Sequence, residues 1–197
     1  MEVRISSQDD IKEIVRVHLS AFPGFFLTEL GEKFLCLYYR SVLEAPNGIL
    51  LSCIDEAGLV GFCAACTRSA GFNSGLIKNS VLKFGIIGLQ LLFTKPRAII
   101  RLAKNLTKKG EAEDSGNYSE LLSIGVTQEN QGRGVGKLLL TRLETILKDD
   151  GVSQLSLTTD YDDNEQAIKF YSRIGFRMFY DFIAYPDRRM YRLIKDL

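Results

Sequence analysis

A run of alternate glycines, Gln131-Gly132-Arg133-Gly134-Val135-Gly136-Lys137, stands between an apolar strand-like segment and an amphipathic helical one. Few features restrict a fold more. Glycine takes positive φ at little steric cost and lets a ligand approach the main chain, while successive N–H groups at a helix start favour an anion. The segment therefore reads as a phosphate cradle at a strand-to-helix turn. Two common cradles do not fit. A P-loop places Ser or Thr after GxxxxGK, but Leu138 follows Lys137; a dinucleotide fingerprint is GxGxxG, and the spacing here is GxGxG. From the loop alone, a glycine-rich turn without a ligand is the alternative.

The flanking pattern supplies the rest of the unit. Ser119 to Val126 reads as a strand, and Val135, Leu138, Leu139, Leu143, Ile146 and Leu147 mark one helix face closed by Gly151. Val152 to Thr159 is the next strand, Asp162-Asp163-Asn164 caps a helix over Glu165 to Ile174, and strands follow near 176–185 and 190–194. Upstream, Met1 to Ser6 predicts a strand and Ser7 with Asp10 a capping box. Ile11, Ile14, Val15, His18 and Phe22 then recur at helical spacing. The turn Phe22-Pro23-Gly24-Phe25-Phe26 breaks that helix, and a second is expected from Glu29 to Leu43. Ile49 to Asp55 and Leu59 to Thr67 predict an antiparallel hairpin. Helix formers from Ile77 to Asn105, interrupted at Pro96, predict two amphipathic helices, followed by a polar stretch from Thr107 to Asn117.

A chain of 197 residues with 46% hydrophobic and 25% charged residues is expected to form one domain, 1–197, with its own core. The start, MEVRISSQDD, has no apolar export segment, so the expected location is cytoplasmic. The longest apolar run, Val81 to Phe93, is 13 residues and contains Lys83, short of the roughly 20 needed to span a bilayer. Cys63-Ala-Ala-Cys66 lies in a strand-like run and the chain has one histidine, so no metal site is expected and all four cysteines are expected as buried small hydrophobes.

The loop resembles the pyrophosphate motif of the GCN5-related N-acetyltransferase (GNAT) superfamily, Q/R-x-x-G-x-G/A, at Gln131, Gly134 and Gly136. A second element, Asn164-Glu165-Gln166-Ala167-Ile168-Lys169-Phe170-Tyr171 with Gly175-Phe176, resembles the N-x-x-A-x-x-x-Y-x-x-x-G-F helix of that family, and Leu122 to Val126 resembles its fourth strand. Gln128 departs from the proline that many members carry. The resemblance implies an α/β (α+β) fold: a mixed, mostly antiparallel sheet with splayed central strands flanked by helices, here with a helical insertion at about 70–117 between the third and fourth strands. It implies acetyl-CoA as cosubstrate. Main-chain groups of Ile124 and Val126 would hold the pantetheine arm. The cradle of Gln131, Gly132, Arg133, Gly134, Val135, Gly136 and Lys137 would hold the pyrophosphate, and Asn164 would touch the cofactor or serve as a plain N-cap.

The implied reaction is direct acetyl transfer from thioester to amine in a ternary complex. It requires a neutral amine, a polarised carbonyl and a proton for the leaving thiolate. Tyr171 matches the usual general acid of the family, with packing as its alternative role. For the base, Thr158 and Thr159 on the fifth strand cannot serve. Glu120, at the start of the fourth strand, is the first choice and Asp160 the reserve; His18 reads as a buried structural histidine before a base.

The net charge of +1 conceals a cancellation. Residues 57–110 carry nine basic and no acidic side chains, against 16 basic and 24 acidic elsewhere. The balance argues against a general nucleic-acid binder, but basic residues interleaved with apolar ones, as at 81–87 and 99–104, suit an anionic membrane surface, a lid over a phosphate-bearing acceptor, or helices packed with their lysines in water. The expected acceptor is a small-molecule amine or an amino sugar. Acetylation of protein N-termini or lysines is one alternative and a non-catalytic acyl-CoA-sensing module another, with the oligomeric state, a homodimer included, left open.

Overall fold

The computed structural model describes residues 1–96 and 114–197. Seven strands form one sheet: β1 (Glu2–Ile5), β2 (Gly48–Asp55), β3 (Gly58–Cys66), β4 (Ser119–Val126), β5 (Gln154–Asp160), β6 (Arg177–Ala184) and β7 (Arg188–Asp196), in the order β1-β2-β3-β4-β5-β7-β6. Every neighbouring pair is antiparallel except β4 with β5. The α-helices are α1 (Ile11–Ala21), α2 (Phe26–Leu30), α3 (Glu32–Glu44), α4 (Phe72–Asn79), α5 (Val81–Thr94), α6 (Val135–Asp149) and α7 (Glu165–Arg173), and short 3-10 turns at Gln8–Asp10 and Gln128–Asn130 complete the described elements.

Burial on both faces explains the apolar runs of β2 and β3. Leu51 and Cys63, paired across the two strands, join α6 residues Leu139 and Leu143 in one core; Leu50 and Ala64 face the other way, into a core with Ile14 of α1 and Leu35 of α3. A strand with helices on both sides has no solvent face, so it reads as continuous hydrophobicity instead of alternation.

Three details depart from the sequence expectation. The helix expected from Glu29 to Leu43 is two helices, α2 and α3, divided at Gly31, whose φ of 88° lies outside the helical region. Helix α5 ends at Thr94, just before Pro96 as expected, but the insertion has a further break at Ser80, with a 91° bend between α4 and α5. The expected helix beyond Pro96 and most of the expected polar stretch lie outside the described residues. Finally, Cys53, Cys63 and Cys66 are buried, whereas Cys36 is only partly so.

The chain re-enters β4 through an anchored segment. The Asp114 carboxylate accepts hydrogen bonds from the Tyr118 hydroxyl and, at 2.6 Å, from the Tyr180 hydroxyl, tying the return of the insertion to β6. Among the described residues, no single helix is long and apolar enough to cross a membrane.

Candidate active site

The site begins where the sheet comes apart. β4 and β5 pair only over Ser119–Leu121 and Leu155–Leu157, after which the two strands diverge, although β5 stays paired with β7 along its full length. A bulge marks the same place: Ala64 pairs with Ser123 and Ala65 with Leu121, so Leu122 is an extra residue in β4. Parallel strands that separate leave one main-chain edge of each without a partner. A cavity of about 420 Å³ occupies the opening, lined by Leu121 to Ile124 of β4 and Leu157 to Asp160 of β5.

Beyond the end of β4 lies the glycine-rich loop. Gly132 and Gly134 have φ of 75° and 85°, and a Cβ at either would meet nothing within 4 Å, so backbone conformation is what requires glycine there. Gly134 is the N-cap of α6, and no side chain caps that helix. Its first-turn N–H groups are thus left to an external acceptor, with the positive end of the helix dipole behind them. Val135 is buried in the core against Gly61, which fixes the start of the helix against β3. Arg133 donates to the Asn130 side chain at 2.8 Å.

α7 closes one wall of the cavity with Asn164, Ala167 and Tyr171. Asn164 occupies the N-cap position without capping: its side-chain amide donates to the Thr159 hydroxyl at 2.5 Å and to the Asp160 carbonyl at 3.2 Å, pinning α7 to the end of β5. Tyr171 is almost fully buried, and burial holds its hydroxyl well above the ordinary phenol pKa, so it keeps its proton at neutral pH.

The opposite wall is apolar and comes from the Pro-Gly turn: Phe22, Phe25, Phe26 and Leu27, together with His18 of α1. His18 is 2% exposed. Its Nδ1 is 2.6 Å from the Tyr39 hydroxyl, which is also hydrogen-bonded to Ser123, while Nε2 is buried with no hydrogen-bond partner among the described residues. Desolvation pushes the imidazole pKa down to about 4, so the ring is neutral at physiological pH.

Glu120 departs from expectation. Its carboxylate accepts from Arg192 of β7 at 2.6 Å and from the Ser69 hydroxyl, and it is not among the residues lining the cavity. The structure thus places Glu120 in an ion pair with a largely buried guanidinium and away from the cavity lining. Asp160 lines the cavity but is bound in two-toothed fashion by Arg188, at 2.5 Å and 3.0 Å. Sequence reasoning missed the Tyr39 and Ser123 partners of His18 as well as Arg192, because each contact joins elements distant in the chain.

The parted strands, the uncapped helix and the tyrosine stand in one arrangement, and comparison with known proteins decides what it belongs to. A sequence model of the Acetyltransferase (GNAT) family matches residues 11–176. The chain belongs to the GNAT acetyltransferase family. Mycothiol acetyltransferase of Corynebacterium aurimucosum is 34% identical over 68 residues, 34% of this chain and 22% of that protein, so the match spans about a fifth of that relative's length. Among solved structures, ribosomal-protein-S18-alanine N-acetyltransferase of Escherichia coli has a TM-score of 0.62 at 14% identity, covering 99% of this chain and 92% of the other. PaiA N-acetyltransferase of Thermoplasma acidophilum in complex with coenzyme A has a TM-score of 0.55 at 14% identity, over 100% and 98%. These structural likenesses bear on the GNAT fold, which this chain carries with a helical insertion between β3 and β4.

Proposed function

We propose that this GNAT enzyme transfers the acetyl group of acetyl-CoA to a primary amine of a small molecule or amino sugar, by direct attack in a ternary complex. The observation that carries the reading is the cavity itself. It runs from the opening between β4 and β5 to an aromatic wall at Phe22, Phe25 and Phe26, and its volume of about 420 Å³ falls within the range of small-ligand sites. A protein N-terminus or lysine is the second reading; the aromatic wall narrows the room a peptide would need.

The residues present fit acetyl-CoA. The free main-chain edge at Ile124 and Val126 suits a pantetheine arm lying beside β4 as an added strand would. The uncapped first turn of α6, from Gly134 to Lys137, suits the pyrophosphate, with Gln131, Gly132 and Arg133 shaping the approach and Arg133 and Lys137 adding positive charge. Asn164 acts by fixing α7 to β5 beside the cofactor groove.

In the transfer, the amine nitrogen attacks the thioester carbonyl carbon and the C–S bond breaks. A main-chain N–H on the free edge of β4 stabilises the oxyanion. The Tyr171 hydroxyl gives its proton to the departing sulfur, and the proton that the nitrogen sheds on becoming an amide returns the tyrosinate to its neutral form through solvent. His18 lines the amine half as a neutral ring, held through Nδ1 by the Tyr39 hydroxyl. Release of free thiol, measured with acetyl-CoA against amines, amino sugars and peptides, tests the reading. Small amines or amino sugars should be turned over; turnover of peptides alone would overturn it, and cofactor binding without turnover of any acceptor would favour the sensing module.

A further inference from the structure

Helix α5 presents apolar side chains on both sides. Its inner side, with Leu91, Phe84 and Ile87, packs against Leu30 of α2 and Phe34 of α3. Its outer side carries Leu82, Ile86, Leu89 and Phe93, exposed by 83%, 71%, 59% and 84%. The spacing i, i+4, i+7, i+11 sets these four along one stripe of the helix. Large apolar side chains in such a row on a surface mark a place where something docks.

Charge selects the occupant. Lys83 lies within α5 and Lys78 precedes it on α4, and neither helix carries an acidic residue. A second copy placed on this face would bring the same lysines together, which opposes self-association. An anionic lipid surface satisfies both features: the apolar row enters the boundary between headgroups and acyl chains while the ammonium groups remain with the lipid phosphates.

We propose that the outer face of α5 seats this enzyme on anionic membrane surfaces as a peripheral protein. The position has a consequence for the acceptor. Leu27 both lines the cavity and packs against the Leu30–Phe34–Leu91 cluster, so the acceptor half of the site is built onto the helix that meets lipid. The consequence rests on the small-amine reading above; the docking itself does not.

The test is sedimentation of the full chain with vesicles of phosphatidylcholine alone and of phosphatidylcholine with phosphatidylglycerol. The protein should pellet with the anionic vesicles only, and the double variant Leu82→Asp/Phe93→Asp should lose at least tenfold in partitioning. Lys83→Glu should lose less, and raised salt should weaken the wild type. The variants should keep the wild-type melting curve and acetyl-CoA affinity, since both side chains are exposed and neither lines the cavity. Absence of pelleting with anionic vesicles overturns the proposal, as does pelleting that the double variant leaves unchanged. A concentration-dependent dimer that the double variant abolishes, with no vesicle binding, overturns it in favour of a second copy.

Discussion

The Glu120 carboxylate on β4 and the Arg192 guanidinium on β7 meet at 2.6 Å across the intervening β5, where Arg192 also donates to the Ser156 hydroxyl at 3.0 Å. Both side chains are 14% exposed. The pair therefore clamps three strands at the point just before β4 and β5 part. Removing one member of a buried pair leaves a charge without compensation, so Glu120→Ala should destabilise the fold by roughly 3–5 kcal/mol. Thermal or urea unfolding measures this. In conditions where the variant is fully folded, its turnover should stay within about tenfold of wild type; a loss like that of a missing general base, at the upper end of about 10²–10⁴-fold, would restore Glu120 to the reaction.

Tyr171→Phe removes one hydroxyl from a ring that otherwise packs in the core. The maximal rate should fall by about 10²–10³-fold, within the span of general acid catalysis, with acetyl-CoA affinity retained. Steady-state kinetics with calorimetric binding separates the two. A better leaving thiol on the donor should recover part of the loss.

Gly134→Ala adds a Cβ at φ of 85° with open space around it, so its effect is conformational: about 1 kcal/mol of strain. Gly134→Glu adds a negative charge at the uncapped start of α6. Acetyl-CoA affinity by calorimetry should drop a few-fold in the first variant and by far more in the second. Equal affinities for wild type and Gly134→Glu would remove the pyrophosphate from this loop.

His18 makes stability depend on acid. Its pKa is depressed from 6.5 to about 4 by burial, so between those values the unfolded chain binds the proton and the folded one does not. Stability from this residue is fully present above pH 6.5 and declines as pH falls toward 4, by on the order of 3 kcal/mol. His18→Gln should flatten that part of the profile in denaturant titrations at pH 7, 6, 5 and 4. It should also raise the KM of the acceptor, because the ring that lines the cavity is replaced, while leaving acetyl-CoA binding unchanged.

Gly125→Ala should destabilise by overpacking, about 1–3 kcal/mol. A Cβ there would lie 2.7 Å from the Phe62 ring and 3.3 Å from that of Phe22. Because Phe22 lines the acceptor wall, acceptor KM should rise with the loss of stability.

The sequence made local features legible and left tertiary ones obscure. Strands β2 to β5, the glycine-rich turn into α6 and the α7 helix could be read because periodicity, glycine spacing and turn chemistry act over a few residues. The division at Gly31 was missed, since a single glycine within a helical pattern carries no sign of whether the chain will bend there. The fate of Glu120 was missed for another reason: Arg192 lies 72 positions away, and only the order of β4, β5 and β7 brings it alongside. Likewise, His18 was legible as an inward-facing residue of α1, but Tyr39 on α3 and Ser123 on the bulged strand, which leave Nε2 as its free nitrogen, emerge only with the fold.

The parting of β4 from β5 divides the site into halves that differ in how they tolerate change. On the proposed acetyl-transfer reading, the donor half depends on main-chain edges and a helix start, which almost any side chain leaves intact, whereas the acceptor half is a wall of phenylalanine rings on a turn braced by α5. Substitutions at Phe22, Phe25 or Phe26 can thus redraw which amine fits without disturbing donor capture. New acceptor specificities lie a few aromatic exchanges apart on an unchanged chassis.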